Sequence, residues 1–189
     1  MKRILIMLFF SFLMVIGCQK NTEITTSKNK LNDDKLVLED KELSEKVKPK
    51  VYKPVSLKEA KKVLPFDPKL SSNLLDGYEP IKNVYIEDWG NKEKIAMETK
   101  IIPNELNKEK LGVYSVRVAN FPDYPSDIIN KKEYESELKL KSGVTAYYGK
   151  NQLAWKDKEV EYLIGYIPIS NSEVEKTKDK LIEIANTIK

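Results

Sequence analysis

The chain has 189 residues, of which 41% are hydrophobic and 33% are charged, a balance typical of one folded, soluble domain rather than a disordered chain. The net charge of +4 falls to +2 if Lys2 and Arg3 leave with a signal peptide, and Arg117 is then the only arginine, so nucleic-acid binding is not expected. The absence of histidine and the single cysteine exclude internal disulfides, zinc sites with N/S ligands, and Ser-His-Asp or Cys-His catalysis. We therefore expect no enzymatic activity, cofactor or metal.

The first 17 residues have the pattern of a secretory signal. Lys2 and Arg3 precede an uncharged apolar run over residues 4–16, and the small residue Gly17 follows. The run has about 13 residues, whereas a helix that spans a hydrocarbon layer of roughly 30 Å needs about 20. A permanent transmembrane helix is therefore not predicted.

The sequence Val15-Ile16-Gly17-Cys18 resembles the lipobox of bacterial lipoproteins, in which the cysteine thiol receives a diacylglyceryl group and becomes the first residue of the mature chain. The resemblance implies that residues 1–17 are a lipoprotein signal peptide and that Cys18 is lipidated. It also implies a location on the extracytoplasmic side of the cell membrane, with the membrane itself as a partner. The alternative is an ordinary signal peptide with an incidental cysteine.

Residues 18–55 are rich in Lys, Glu, Asn and Thr, and their isolated apolar residues follow no sustained period. This composition predicts a lipidated, largely disordered tether that holds the domain several tens of Å from the bilayer. Within it, Leu36, Leu43 and Val47 have the spacing of a transient, solvated helix. The single folded domain is then predicted over residues 56–189.

The predicted domain starts with a helix. Ser56 and Glu59 form a capping-box pattern, Leu57 and Ala60 fall on one face, and Pro65 ends the helix. Residues 66–80 are a turn-rich connector.

Beyond the connector the apolar period becomes two, which predicts strands joined by short turns. The predicted strands cover residues 81–89, 94–102, 111–119, 134–141, 144–148, 152–156 and 160–167. Their connections are too short for crossover helices, so the sheet is expected to be antiparallel, with the last strand in a central position. Capping boxes at 170–175 and an apolar stripe from Val174 to Ile188 predict a final helix. The predicted fold is α+β: a twisted antiparallel sheet of about six to seven strands, with a short N-terminal and a longer C-terminal helix packed on one face.

Several of these motifs recur together in a known family. The order Ser56-Leu57-x-x-Ala60, Leu64-Pro65-Phe66, Asp76-Gly77-Tyr78, Leu153-Ala154-Trp155 and Ile184-Ala185-Asn186-Thr187-Ile188 resembles a bacterial extracytoplasmic domain of unknown function. That domain is found in lipoproteins and at the outer ends of membrane-anchored anti-sigma factors, and it is distantly similar to the outer-membrane lipoprotein carrier fold. The resemblance covers residues 55–189 and implies an antiparallel sheet curved over helices, with no catalytic residue to transfer.

For each group of candidate site residues, an ordinary structural role is weighed against a functional one. Glu87 with Asp88, and Asp123 with Asp127, have the chemistry of acid pairs or calcium ligands but lack the spacing of a known loop, so we expect solvated turn carboxylates. The aromatic residues of the later strands are expected in the core, the alternative being the floor of a concave pocket: Tyr147, Tyr148, Trp155, Tyr162 and Tyr166.

The sequence thus predicts a membrane-anchored lipoprotein with a non-enzymatic binding or sensory domain, whose partner is a protein or a small ligand. The alternative is a lipid or lipoprotein carrier that uses the concave face of the sheet. An enzyme that uses only carboxylates is a third possibility, and it would need two of them facing each other across a cleft.

The lipidation of Cys18 can be tested directly. Cys18→Ala removes the only thiol, so we expect it to abolish metabolic labelling by a clickable fatty acid and to release the protein from membranes. Unchanged labelling of the variant would contradict the assignment of Cys18 as the anchor.

Overall fold

A computed structural model describes residues 29–105, 112–168 and 177–188. It contains one sheet of eight strands in the spatial order β1-β2-β3-β4-β8-β7-β6-β5. The strands are β1 (Lys50–Ser56), β2 (Asn83–Gly90), β3 (Lys94–Ile101), β4 (Val113–Ala119), β5 (Ser136–Lys139), β6 (Thr145–Gly149), β7 (Gln152–Asp157) and β8 (Val160–Ile167). The described helices are α1 (Lys41–Lys46), α2 (Leu57–Val63), α3 (Tyr124–Asn130) and α4 (Thr177–Ala185). The predicted leader, Cys18 and the capping boxes at 170–175 lie outside the described residues.

The predicted α+β class is confirmed, and every neighbouring pair of strands is antiparallel as expected. Each of the seven predicted strand segments contains an observed strand. The count of six to seven strands is wrong because β1 adds an eighth at one edge. β8 lies between β4 and β7 and is covered on both faces, as its apolar run indicated.

The prediction that residues 18–55 form a largely disordered tether is wrong for their described part, 29–55. Leu31 is only 3% exposed and belongs to the main hydrophobic core. β1 pairs with β2, with Lys50 opposite Asp88 and Ser56 opposite Asn83. The apolar residues of this segment are too sparse to show a period. Burial of Leu31 and Tyr52 nevertheless offsets entropy that the chain loses on ordering.

The outer edge of β1 is itself covered. The Glu39 N–H donates to the Val51 carbonyl at 2.9 Å, and the Lys53 N–H donates to the Val37 carbonyl at 2.8 Å. α1 follows and is capped by the Asp40 side chain, within the segment predicted to be a transient helix. None of its residues is buried, so it contributes little to the core.

One face of the sheet forms the main core. The capping box of α2 is present: the Ser56 hydroxyl accepts from the Glu59 N–H at 3.2 Å, and the Glu59 carboxylate accepts from the Ser56 N–H at 3.1 Å. α2 and α4 bury their apolar residues against this face, and the buried cluster includes Leu57, Ala60, Leu64, Val84, Ile86, Met97, Val116, Val118, Ile164, Leu181 and Ile184. The C-terminal helix therefore packs on the sheet through its apolar stripe, as the sequence predicted.

The aromatic residues of the later strands are mainly core residues. The Trp155 ring stacks on Tyr162, with ring centroids 4.9 Å apart and planes at 3°, and Tyr114 lies 4.7 Å from Tyr166. Tyr147 is on the opposite face, where its ring lies 4.9 Å from that of Tyr134. Because these aromatic rings are divided between the two faces, they do not form the floor of one pocket.

The second face of the sheet is covered by α3 only over β7 and β8. Ile128 of α3 packs with Ala154 and Leu163. Buried Glu161 holds the start of the helix, since its carboxylate accepts from the Asp123 N–H at 3.1 Å and from the Ser126 hydroxyl. The predicted strands end at residue 119 and resume at residue 134, so the sequence analysis did not predict α3. Within the described residues, α3 does not extend over β1–β4 on this face.

Packing of the 29–55 segment can be tested by a pair of substitutions. Leu31→Ala removes a side chain that is 3% exposed and should lower the free energy of unfolding by about 2–4 kcal/mol, because a cavity is left behind. Leu43→Ala, on a side chain that is 53% exposed, should change it by less than about 0.5 kcal/mol. Urea unfolding followed by tryptophan fluorescence measures both, and equal effects would contradict the packing.

Candidate binding groove on the open sheet face

The uncovered part of the second face, over β1–β4, carries a groove of about 510 Å³, which we name the sheet groove. It runs along the start of β2 and the end of β3. The lining residues are Val51, Glu79, Pro80, Lys82, Asn83, Tyr85, Glu87, Glu98, Thr99, Lys100 and Ile102. Tyr85 and Ile102 are among the large apolar side chains that the domain leaves exposed.

Strand alternation places these side chains. In β2, Val84 and Ile86 are buried in the core, so Tyr85 and Glu87 point to the open face. In β3, Met97 is buried and Glu98 points to the open face. The register then sets Tyr85 opposite Glu98, and Glu98 opposite Arg117 of β4.

Arg117 organises one end of the sheet groove. Its Nη2 lies 2.9 Å from a Glu87 oxygen, its Nε lies 2.6 Å from an Asp123 oxygen, and its Nη1 lies 3.4 Å from a Glu98 oxygen. The guanidinium carbon lies 6.0 Å from the centre of the Trp89 ring. We name Arg117 and its three carboxylate partners the Arg117 cluster. These contacts come from three segments, β2, β3 and the residues before α3, and they fix the guanidinium in one geometry.

The Arg117 side chain is 16% exposed, and burial acts to lower its pKa. Hydrogen bonds to Glu87 and Asp123, together with their charges, outweigh burial, so the pKa of Arg117 is raised above its ordinary value. The guanidinium is therefore charged at any pH at which the domain is folded. The three carboxylates exceed the single cation, so the Arg117 cluster is acidic overall.

The acidic pairs singled out from the sequence are not paired in space. Glu87 and Asp88 point to opposite faces, and Asp88 is buried, accepting from the Gly90 N–H at 2.9 Å and the Lys92 N–H at 3.0 Å. Asp123 joins the Arg117 cluster, whereas Asp127 is at the surface, 3.3 Å from Lys131. The expectation of solvated turn carboxylates is therefore wrong for Glu87, Asp88 and Asp123. Asp127 is solvated as expected, but it lies in α3 and not in a turn.

The sheet groove offers contacts rather than reactive groups. Tyr85, Ile102 and Pro80 provide apolar surface, and the Lys82 ammonium is paired with Glu79 at 2.8 Å. With respect to the described residues, the Glu98 carboxylate makes only the long contact to Arg117, and its side chain is 38% exposed, so it is available to a ligand. Such a mixture suits recognition of a chain that carries apolar and charged groups.

Within residues 29–105, 112–168 and 177–188, no group of three or more His, Cys, Asp or Glu side chains is placed to hold a metal ion.

Among the described helices, none has the length and apolar character needed to cross a membrane.

Local sequence patterns do not predict this site. Arg117 is distinguished only as the one arginine outside the predicted leader, and Tyr85, Glu98 and Ile102 lie within predicted strands without belonging to any motif. The available signal was the position of Tyr85, Glu87, Glu98 and Arg117 on the polar side of their strands.

The Arg117 cluster yields a stability prediction. Arg117→Met leaves Glu87 and Asp123 poorly solvated without a cation and should lower the free energy of unfolding by about 3 kcal/mol. Adding Glu87→Gln and Asp123→Asn to that variant should restore much of the loss, because the uncompensated charges are removed. Denaturant unfolding of the two variants measures this, and a triple variant as unstable as Arg117→Met would contradict a charge-based cause.

A scan against models of known protein families, a search of curated proteins and a search of solved structures each return no match to this chain.

Proposed function

We propose that this protein is a lipid-anchored bacterial lipoprotein whose domain binds a protein or a small ligand outside the membrane and catalyses no reaction. The lipobox-like sequence at Cys18 supports the anchor, and the resemblance to an extracytoplasmic lipoprotein domain supports the location. The observation that carries the binding role is the sheet groove, where Tyr85 and Ile102 are exposed beside the Arg117 cluster.

The character of the sheet groove favours recognition over chemistry. Tyrosine supplies a large, rigid contact surface with a polar tip, and it is enriched where proteins meet partners. Glu87 and Asp123 are engaged with Arg117 at 2.9 Å and 2.6 Å, so they are poorly suited to act as a facing acid–base pair. The Arg117 cluster instead supplies a preorganised charged wall for an incoming ligand.

The carrier alternative has less support. A carrier of lipids or lipoproteins needs a dry space that holds acyl chains, and the face of the sheet under α2 and α4 is filled by one continuous cluster of buried apolar side chains. The sheet groove is open and is lined by five charged residues. Its chemistry suits a peptide-like or polar ligand better than an acyl chain.

The binding role is tested by photo-crosslinking in cells. A photoreactive phenylalanine in place of Tyr85, in the full chain with Cys18 intact, should form an adduct of discrete mass, whereas the same residue in place of exposed Tyr124 should not. Adding Ile102→Asp, which puts a charge into the sheet groove, should reduce the adduct at least about tenfold.

Ile167→Asp is the matched control, since Ile167 is also exposed and does not line the groove. It should leave the Tyr85 adduct unchanged. Loss of the adduct in both variants, or no discrete adduct at all, would contradict the sheet groove as the binding surface. Turnover of a substrate by the purified domain would contradict the non-enzymatic role.

A further inference from the structure

Three of the five charged residues that line the sheet groove are already engaged by other side chains. Lys82 lies 2.8 Å from Glu79. The Glu87 carboxylate accepts from the Trp89 ring N–H at 2.8 Å and from Arg117 Nη2 at 2.9 Å. These charges therefore shape the walls of the groove, and a ligand gains little by pairing with them.

The other two charged residues, Glu98 and Lys100, remain for a ligand. Among the described residues, exposed Lys100 forms no salt bridge, and the Glu98 carboxylate makes only its 3.4 Å contact with Arg117. Arg117 is shared with Glu87 and Asp123, so three carboxylates meet one guanidinium and two negative charges are left over. A cation beside Glu98 and an anion beside Lys100 would each meet an opposite charge.

Glu98 and Lys100 belong to one row of side chains along β3. Alternate residues of a strand point to the same face, so Glu98, Lys100 and Ile102 all line the groove, whereas Met97 is buried on the opposite face. Beyond the end of β3 the row is held in place by the Glu79 N–H, which donates to the Ile102 carbonyl at 2.8 Å. We name Glu98, Lys100 and Ile102 the β3 row. Its order is acidic, basic, apolar.

Two members of the β3 row have a neighbour on β2 that suits the same ligand group. The register sets Tyr85 opposite Glu98, and it therefore brings Asn83 level with Lys100. An exposed tyrosine ring beside a carboxylate favours an ammonium or guanidinium group. A side-chain amide beside a lysine can donate to the same carboxylate that the lysine attracts. Ile102, which is 44% exposed, supplies the apolar contact.

The spacing of the β3 row matches that of an extended peptide. Neighbouring members of the row are two residues apart on one strand, which is about 7 Å, and the whole row covers about 14 Å. In an extended chain, alternate side chains point the same way at the same interval of about 7 Å. The volume of the groove, about 510 Å³, lies in the ordinary range for a ligand site.

We propose that the sheet groove binds an extended segment of a partner protein in which a basic, an acidic and an apolar residue alternate with other residues. The lysine or arginine lies beside Glu98, the aspartate or glutamate beside Lys100, and the apolar side chain on Ile102. Because side chains are recognised, the segment can run in either direction, and in both the acidic residue is central. The inference rests on the binding role in the proposed function and names the class of ligand.

The test presents a phage-displayed library of random peptides, each about ten residues long and thus longer than the β3 row, to the full chain. Selected peptides should share a central acidic residue, with a basic residue two positions to one side and an apolar residue two positions to the other. Two exposed ion pairs each contribute up to about fivefold, so the pattern should be enriched on the order of tenfold over the unselected library.

An exchange of charges tests the order of the β3 row. Glu98→Lys/Lys100→Glu keeps the net charge, and peptides selected by this variant should carry the basic residue in the centre, two positions from the apolar residue. Lys100→Glu alone should remove the preference for a central acidic residue. The matched control is Lys158→Glu/Glu159→Lys, which exchanges two neighbouring exposed charges that do not line the groove and should leave the selected pattern unchanged.

The outcomes separate this inference from the proposed function. A selection without a shared pattern, or the same pattern from the natural chain and from Glu98→Lys/Lys100→Glu, would overturn the inference. An equal change of pattern in the control variant would also overturn it. If the photoreactive residue at position 85 still forms a discrete adduct in cells, the binding role stands and only the peptide class is rejected. Without that adduct, both are rejected together.

Discussion

The structure depends on the pairing of β4 with β8, because this pair joins two four-stranded meanders into one sheet. β1–β4 form one meander and β5–β8 form the other, and seven residue pairs from Val113–Ile167 to Ala119–Glu161 connect them. The pair is closely packed: a Cβ added to Gly165 would lie 2.9 Å from the Ser115 hydroxyl. The same register places Arg117 over the β1–β4 half and Glu161 where it holds α3. Pairing between segments so far apart in sequence is costly in loop entropy, and burial of Val116, Val118 and Ile164 offsets that cost.

Local sequence patterns predicted much of this fold. Alternation located seven strands, and the Ser56–Glu59 capping box located α2, since both signals depend only on near neighbours. The two missed elements each contain a proline. Pro54 lies inside β1, and a strand with proline is tolerated only at an edge, where β1 is found with a register shift between Tyr52 and Val55. Pro125 lies in the first turn of α3, where its missing N–H costs nothing, but in sequence it suggested a break.

The candidate site was harder to predict than the fold, because its residues are brought together only by the register of the paired strands. Glu87, Glu98, Arg117 and Asp123 come from four segments and meet only once β2, β3 and β4 pair in one alignment. In sequence, Glu87 and Asp88 looked like partners, but the period of two sends them to opposite faces. Of these two residues, only Glu87 lies on the open face and contacts Arg117.

The order found in residues 29–55 changes what the N-terminal region can do. A free coil of that whole region would leave the domain able to take any orientation at a distance from the bilayer. With Leu31 buried and bonded to Lys92, the described chain enters the fold at a defined end of the sheet, and ten residues, 19–28, separate residue 29 from Cys18. This entry point lies beside the β2–β3 turn, whereas the sheet groove starts at Asn83 and Ile102 at the other end of β2 and runs toward the Arg117 cluster. Packing of a lysine-rich N-terminal segment thus links the stability of the fold to the point at which the N-terminal chain enters it.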